Sequence, residues 1–218
     1  MERRQCCIYC LNIFKKENLF LARAYNDLSV VYSYLSLPLK AIETQKQALK
    51  IRENLIGIEH EITAISHNNL SLIYREIEEF ELALEQQQKA LEIRKNILGE
   101  NDPLTAQSYD NLSLILSDLG RNDEALHYHK IGLKIRQKLY PPIHPEIAES
   151  YNTLSIIYTE LDSTQKAYET IKNAIYIREK IYELNHPAIL NSYTNLAAIH
   201  RELGEHYKAL NISKQVLD

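Results

Sequence analysis

Tryptophan is absent from the 218 residues, methionine occurs once, and glycine and proline occur only five and six times. So few turn-forming residues exclude a propeller or another repeat of short strands, which needs many more glycines. Leu, Ile, Ala, Glu, Lys and Gln make up much of the rest, and most of these are strong helix formers. Cysteine is confined to Cys6, Cys7 and Cys10. No disulfide framework can hold the fold, and a reducing, intracellular and cytoplasmic setting is expected. Cys7 and Cys10 form a CxxC, but a zinc site needs a second pair and none follows. No apolar run approaches the ~18 residues of a membrane span, so no membrane insertion is expected. Basic residues precede a short apolar stretch at the N-terminus, but there is no small-residue cleavage site, and no signal peptide is expected. The formal charge is −4, with 29 acidic against 25 basic side chains, the wrong sign for a nucleic-acid binder. Gly-rich phosphate loops, HExxH and GxSxG are missing, so the reading is no enzyme, no cofactor and no metal.

What is present is a repeat. Pro103, Pro145 and Pro187 are spaced by 42 residues, and alignment on them brings other positions into columns. One column is Leu28, Leu70, Leu112, Leu154 and Leu196. Others are Tyr25, His67, Tyr109, Tyr151 and Tyr193; Tyr32, Tyr74, Leu116, Tyr158 and His200; and Ala41, Ala83, Ala125, Ala167 and Ala209. Ile51, Ile93, Ile135 and Ile177 form a further column, followed by Arg52, Arg94, Arg136 and Arg178.

Each unit reads as two helices. Ala148, Tyr151, Leu154, Ser155, Tyr158 and Leu161 step by three or four and mark one face of a helix A. A break follows, occupied by Gly120 and Gly204 in two units. Ala167, Ile171, Ala174, Ile175, Ile177 and Ile181 then mark a helix B. Proline opens helix A at its first turn, where its missing N–H is harmless. Asp102, His144 and His186 precede it as N-caps. The alanine column belongs where A and B cross closely. A larger side chain there would cost roughly 1–3 kcal/mol. One hairpin cannot bury its apolar face alone, so the units must stack. The expected fold is all-α, a right-handed superhelical solenoid of helix-turn-helix hairpins with the A helices on the concave side. HEAT-type pairs are the other architecture near this period, and the Tyr–Leu–Tyr–Ala spacing argues against them.

The segments HPEIAESYNTLSIIYTEL and KAYETIKNAIYIREKIYELNHP, with ISHNNLSLIYREI and ALEQQQKALEIRKNILGEND, resemble the tetratricopeptide repeats of the kinesin light chain family. The resemblance covers residues 19–218. The expected units are 19–60, 61–102, 103–144, 145–186 and 187–218, the last stopping within helix B. Residues 1–18 align with helix B of a preceding unit: Arg4 under Lys46, Cys7 under Leu49, Ile13 under Leu55. The unfinished fifth unit leaves Leu196, Ile199 and Leu203 poorly covered, so self-association through uncapped ends is expected.

The resemblance implies a protein-binding scaffold that takes an extended peptide in the concave groove. The other reading is the sensor or regulatory arm of a larger protein, such as a signalling NTPase or transferase. In the family, helix A asparagines bond the backbone of the peptide. The matching positions are Asn26, Asn68 and Asn152 in one column and Asn69, Asn111 and Asn195 in the next, with Asp110 in the first. Bonding between neighbouring A helices is the alternative for these amides, which both donate and accept. Positions three or four away share the face, including Arg23, Leu72, Arg75, Leu114, Glu149, Ile156 and Arg201. An acidic column, Glu76, Asp118, Glu160 and Glu202, ends four A helices where a negative charge is disfavoured by roughly 0.3–1 kcal/mol. Pairing with the column Lys46, Lys130, Lys172 and Lys214 is the expected compensation. Free, the acids would make the middle of the groove favour a peptide carrying Lys or Arg, with an acidic residue tolerated beside Arg75. The arginine column repeats with the packing residues and is expected to make inter-repeat ion pairs or to pack through its stems.

Overall fold

The computed structural model of the chain describes residues 18–217. The expected helix B remnant over residues 1–18 and the Cys7–Cys10 pair lie outside these, apart from Asn18. Among the described residues there are ten helices and no strand, in an all-α fold of the helical-solenoid class. The A helices are α1 (Leu19–Tyr34), α3 (Glu61–Glu76), α5 (Pro103–Asp118), α7 (Pro145–Glu160) and α9 (Pro187–Glu202). Each is followed by its helix B: α2 (Pro38–Ile56), α4 (Phe80–Leu98), α6 (Asn122–Leu139), α8 (Thr164–Ile181) and α10 (His206–Leu217). The chain divides after Ile97 into two compact units.

The caps explain where the A helices start. Asn18 Oδ1 accepts from the Leu21 amide at 2.9 Å and Asp102 Oδ1 from Leu104 at 2.8 Å. His60, His144 and His186 do the same through Nδ1, at 3.1, 3.2 and 3.2 Å. In each case an unpaired first-turn N–H gains an acceptor. The turn from A to B demands a left-handed residue at the same place in every hairpin. Gly120 and Gly204 have φ of 72° and 75°; Ser36, Glu78 and Asp162 hold 54°, 62° and 51° without the freedom of glycine. A–B crossing is close, and Ala41, Ala83, Ala125 and Ala167 are fully buried.

In the first unit, Ala22, Ala48, Ile51, Leu70, Ile73 and Tyr74 are buried between the helices. In the second, one cluster joins Leu133, Ile147, Ala148, Leu154 and Ile177, so that helix B of one hairpin and helix A of the next share a core. A second cluster joins Ala167, Ile171, Ala174 and Ile175 of α8 to Ile199 of α9, with Tyr193 and Leu196 against it. Ile199 is 2% exposed, which corrects the expectation that it lies bare. Helix α8 covers Ile199 and supports Leu196, while Leu203, Tyr207 and Leu210 are the exposed apolar groups of the last hairpin. Burial of one such side chain stabilises by about 1.5–3 kcal/mol.

The tyrosine column adds a polar tie from α6 to α7 and from α8 to α9. Gln137 donates to Tyr151 Oη at 3.0 Å, and Tyr193 donates to Glu179 at 2.6 Å. Burial, with the bond to Glu179, pushes the Tyr193 phenol up to about 12. His67 stands in this column near Glu53, at 3.8 Å, and donates through Nδ1 to the Gln86 side-chain oxygen at 2.8 Å.

Candidate interaction face and the joints behind it

Buried arginines join neighbouring hairpins. In the first unit Arg52 extends from α2 to α3, where Nη1 donates to Ser66 Oγ at 2.5 Å and to the Ile62 carbonyl at 3.3 Å. It also reaches Asn26 Oδ1 at 3.4 Å. That oxygen accepts from Asn69 Nδ2 at 3.0 Å and from Gln45 Nε2 at 3.3 Å. Burial pushes the Arg52 guanidinium down and Asp27 only partly offsets this.

The same joint recurs between α7, α8 and α9. Arg178 Nη1 donates to Ser192 Oγ at 2.5 Å, to the Ala188 carbonyl at 2.6 Å and to Asn152 Oδ1 at 3.4 Å. Asn152 Oδ1 further accepts from Asn195 Nδ2 at 3.1 Å and Ser192 Oγ at 3.2 Å, and Arg178 Nη2 pairs with Glu149. A residue that donates this many bonds in a dry site fixes the register of its neighbours, because any bond lost leaves a buried polar group unpaired.

Between α5, α6 and α7 the joint has different chemistry. Asp110 replaces the asparagine, His129 the glutamine of the Gln45 column, and Gly132 the alanine of the Ala48 column. Arg136 Nη2 meets Asp110 Oδ2 at 2.5 Å, and its Nε meets Glu146 at 3.2 Å. His129 Nε2 lies 2.8 Å from the Ser150 carbonyl and Nδ1 lies 3.3 Å from Asp110 Oδ1. Gly132 is the space for the carboxylate: a Cβ there would stand 2.7 Å from Asp110 Oδ1. Burial lowers the Arg136 pKa, but Asp110 and then Glu146 outweigh it, and the net shift is upward. A neutral Asn26 leaves burial dominant at Arg52; a charged Asp110 reverses the balance at Arg136.

Arg136 therefore makes the inter-repeat ion pair expected of the arginine column, while Arg178 pairs with Glu149 of its own hairpin and joins the next, like Arg52, through hydrogen bonds. Asn26, Asn69, Asn152 and Asn195 bond one A helix to the next. Asn68 and Asn152 are buried, while Asn111 is half-buried. Asp110 and Glu149 are engaged by Arg136 and Arg178. The serines of the column Ser66, Ser108, Ser150 and Ser192 were missed as joint residues, although their recurrence every 42 residues was a visible signal.

Three lysines of the expected column lie on tyrosine rings and make no ion pair with the acidic column. Lys46 lies over the Tyr74 ring at 5.7 Å, Lys130 over Tyr158 at 5.5 Å and Lys172 over Tyr168 at 5.2 Å. An ammonium gains by facing an aromatic ring, and each ring is within reach of its stem. Glu160 instead accepts from Ser117 Oγ.

Each unit also presents exposed positions on its A helices. Leu72 of α3 is 44% exposed in the first unit, and Ile156 of α7, at the same position 84 residues on, is 41% exposed in the second. Arg23, Asp118, Glu149, Glu160 and Arg201 are exposed as well, while Arg75 and Leu114 are half-buried. Arg23 stands 3.9 Å from Asp27. In the first unit, α1 and α3 enclose a notch of about 220 Å³ lined by Val30, Ser33, Tyr34, Asn69, Leu72 and Glu76. Sequence reading missed Val30 and Tyr34 as parts of this face. In the second unit, α9 and α10 frame a larger cavity of about 590 Å³, lined by Thr194, Ala198, Arg201, Leu210 and their neighbours.

The tetratricopeptide repeat family model matches residues 20–96, 73–138 and 146–218. The chain belongs to the tetratricopeptide repeat family. No curated protein matches this tetratricopeptide chain. Among solved structures it is similar to a Podosopora anserina protein named as a kinesin light chain with nearly identical TPR-like repeats. That match has a TM-score of 0.80 and 22% identity over 92% of this chain and 95% of the other. It is also similar to BtubC (BKLC) of P. vanneervenii, at 0.79 and 20% identity over 91% and 79%. The Rap conjugation gene regulator of plasmid pLS20, solved with the Phr* peptide, matches at 0.68 and 18% identity over 88% of this chain and 51% of that one. At these identities the likeness is one of fold. Among the described residues, no helix is long and apolar enough to cross a membrane.

Proposed function

We propose that this tetratricopeptide protein is a non-catalytic interaction scaffold that holds an extended peptide segment on its A-helix face. The observation that carries the reading is the exposure of an aliphatic side chain at the same helix A position in each unit, Leu72 in the first and Ile156 in the second, beside joints that hold Asn69 and Asn195 to the preceding A helix. An aliphatic group left at equivalent places in two hairpins, over a rigid polar backing, is what a peptide side chain can cover. The solved Rap regulator holds a peptide and shares the fold, which supports the reading. That match covers about half of the Rap chain, which favours as a second reading the regulatory arm of a larger protein.

The test uses the full chain, immobilised and offered to a random dodecapeptide library on phage. Selected peptides are then synthesised and titrated against the Leu72→Asp, Ile156→Asp double variant. Both sites are exposed, so helicity and melting temperature stay near wild type. Affinity should fall by roughly tenfold or more, since each substitution places a desolvated charge against the peptide. Equal binding by the variant would refute the face assignment.

A further inference from the structure

The notch between α1 and α3 has a sign as well as a shape. Its walls are Val30, Tyr34 and Leu72, all exposed, and its rim carries Glu76. Glu76 is the last residue of α3, and the notch is built from the C-terminal halves of both A helices. Each helix end adds the negative pole of its dipole to the carboxylate. Nothing basic stands in the last turn of α1 to offset this. In the last turn of α3, Arg75 is half-buried and already engaged in an interaction of its own. Lys46, the cation expected to neutralise Glu76, lies on the ring of Tyr74 instead. Glu78 and Glu79, in the turn after α3, deepen the negative potential.

We infer that this notch takes a lysine or arginine side chain of the bound segment, its methylenes lying along Val30, Tyr34 and Leu72 and its charged head at Glu76. The inference rests on the proposed peptide-binding face and gives that face its partner chemistry in the first unit. A long cationic side chain fits both halves of the notch, because its stem is apolar and its head is not. Tyr34 is 85% exposed and free to turn its ring towards the cation. This reverses the expectation of an acidic residue beside Arg75, since the open group at the notch is the carboxylate.

The experiment is the dodecapeptide selection on the full chain, followed by fluorescence anisotropy with one fluorescein-labelled selected peptide. Selected sequences should be enriched in Lys or Arg at one position. Replacing that residue by Gln in the peptide should weaken binding about fivefold, the size of a partly exposed ion pair. Glu76→Gln in the protein should cost the same factor, and the two changes together should cost no more than either alone. Affinity for the basic peptide should fall as salt rises from about 50 to 500 mM, because the Debye length shrinks. Peptides that bind without basic enrichment, or that bind the Glu76→Gln variant equally, overturn this inference and leave the binding face standing. A library that yields no binder overturns both.

Discussion

Gly132→Ala is the sharpest test of how the third joint is built. On helix propensity alone the change should stabilise α6 by about 0.8–1 kcal/mol, and alanine occupies the same place in the hairpins of Ala48, Ala90 and Ala174. Here the new Cβ would stand 2.7 Å from Asp110 Oδ1, 3.2 Å from the Ala106 carbonyl and 3.4 Å from Arg136 Nη1. Asp110 must then leave Arg136 and His129, whose side chains are 8% and 2% exposed. Breaking a buried pair outright costs about 3–5 kcal/mol. Asp110 is 19% exposed and can retreat towards water, so part of that is recovered. Set against the gain in propensity, the net loss is about 1–3 kcal/mol. For a chain of this size that lowers the melting temperature by roughly 3–9 °C. Far-UV circular dichroism reads the melt, and hydrogen exchange of the α6 and α7 amides shows where the loss falls. Adding Asp110→Asn and His129→Gln to Gly132→Ala recreates the Asn26, Gln45 and Ala48 set of the first hairpin and should restore most of the stability. A single variant as stable as wild type, or a triple variant no better than the single, refutes the argument.

Three further outcomes follow from the same geometry. Glu78→Gly should raise stability by about 1 kcal/mol, because it relieves a left-handed backbone at φ 62°, and Gly120→Ala should lower it by a similar amount; urea unfolding measures both. Arg178→Ala should cost about 3 kcal/mol and speed hydrogen exchange in α9, since Ser192, the Ala188 carbonyl and Glu149 lose this donor and Asn152 loses one of its three; unchanged exchange would contradict the joint. Burial lowers the His67 pKa below the usual 6.5, against smaller raising effects of Gln86 and Glu53. The folded chain therefore binds this proton less readily than the unfolded one. The stability from His67 is present above about pH 6.5 and is lost as pH falls through the folded value. A His67→Gln variant should show a flatter decline in acid, read by melting temperature against pH.

Much of the fold was legible because the 42-residue columns combine two signals, helical periodicity and exact recurrence. Ala41 to Ala167 were readable as the close A–B crossing, and Asp102 and His144 as caps, because proline marks the first turn beside them. The site was less legible. Adjacent positions such as Asn68 and Asn69 lie about 100° apart on a helix, and periodicity does not say which points at a neighbouring helix and which at solvent. The lysine column was misjudged because a tyrosine face and a carboxylate compete for one ammonium, and only the three-dimensional reach of the stem decides. Left-handed turns at Ser36, Glu78 and Asp162 carry no glycine to announce them. The Asp110, His129 and Gly132 set was visible as three departures from their columns, yet that they compensate one another emerges only when all three meet around Arg136.

The most direct test of the central claim is amide chemical-shift mapping of the full chain with a library-selected peptide. The account predicts that the perturbed residues lie on the A helices, at the notch of α1 and α3 and around Ile156 of α7. Perturbations confined to the outer faces of the B helices, around Lys134 and Tyr176, would contradict it.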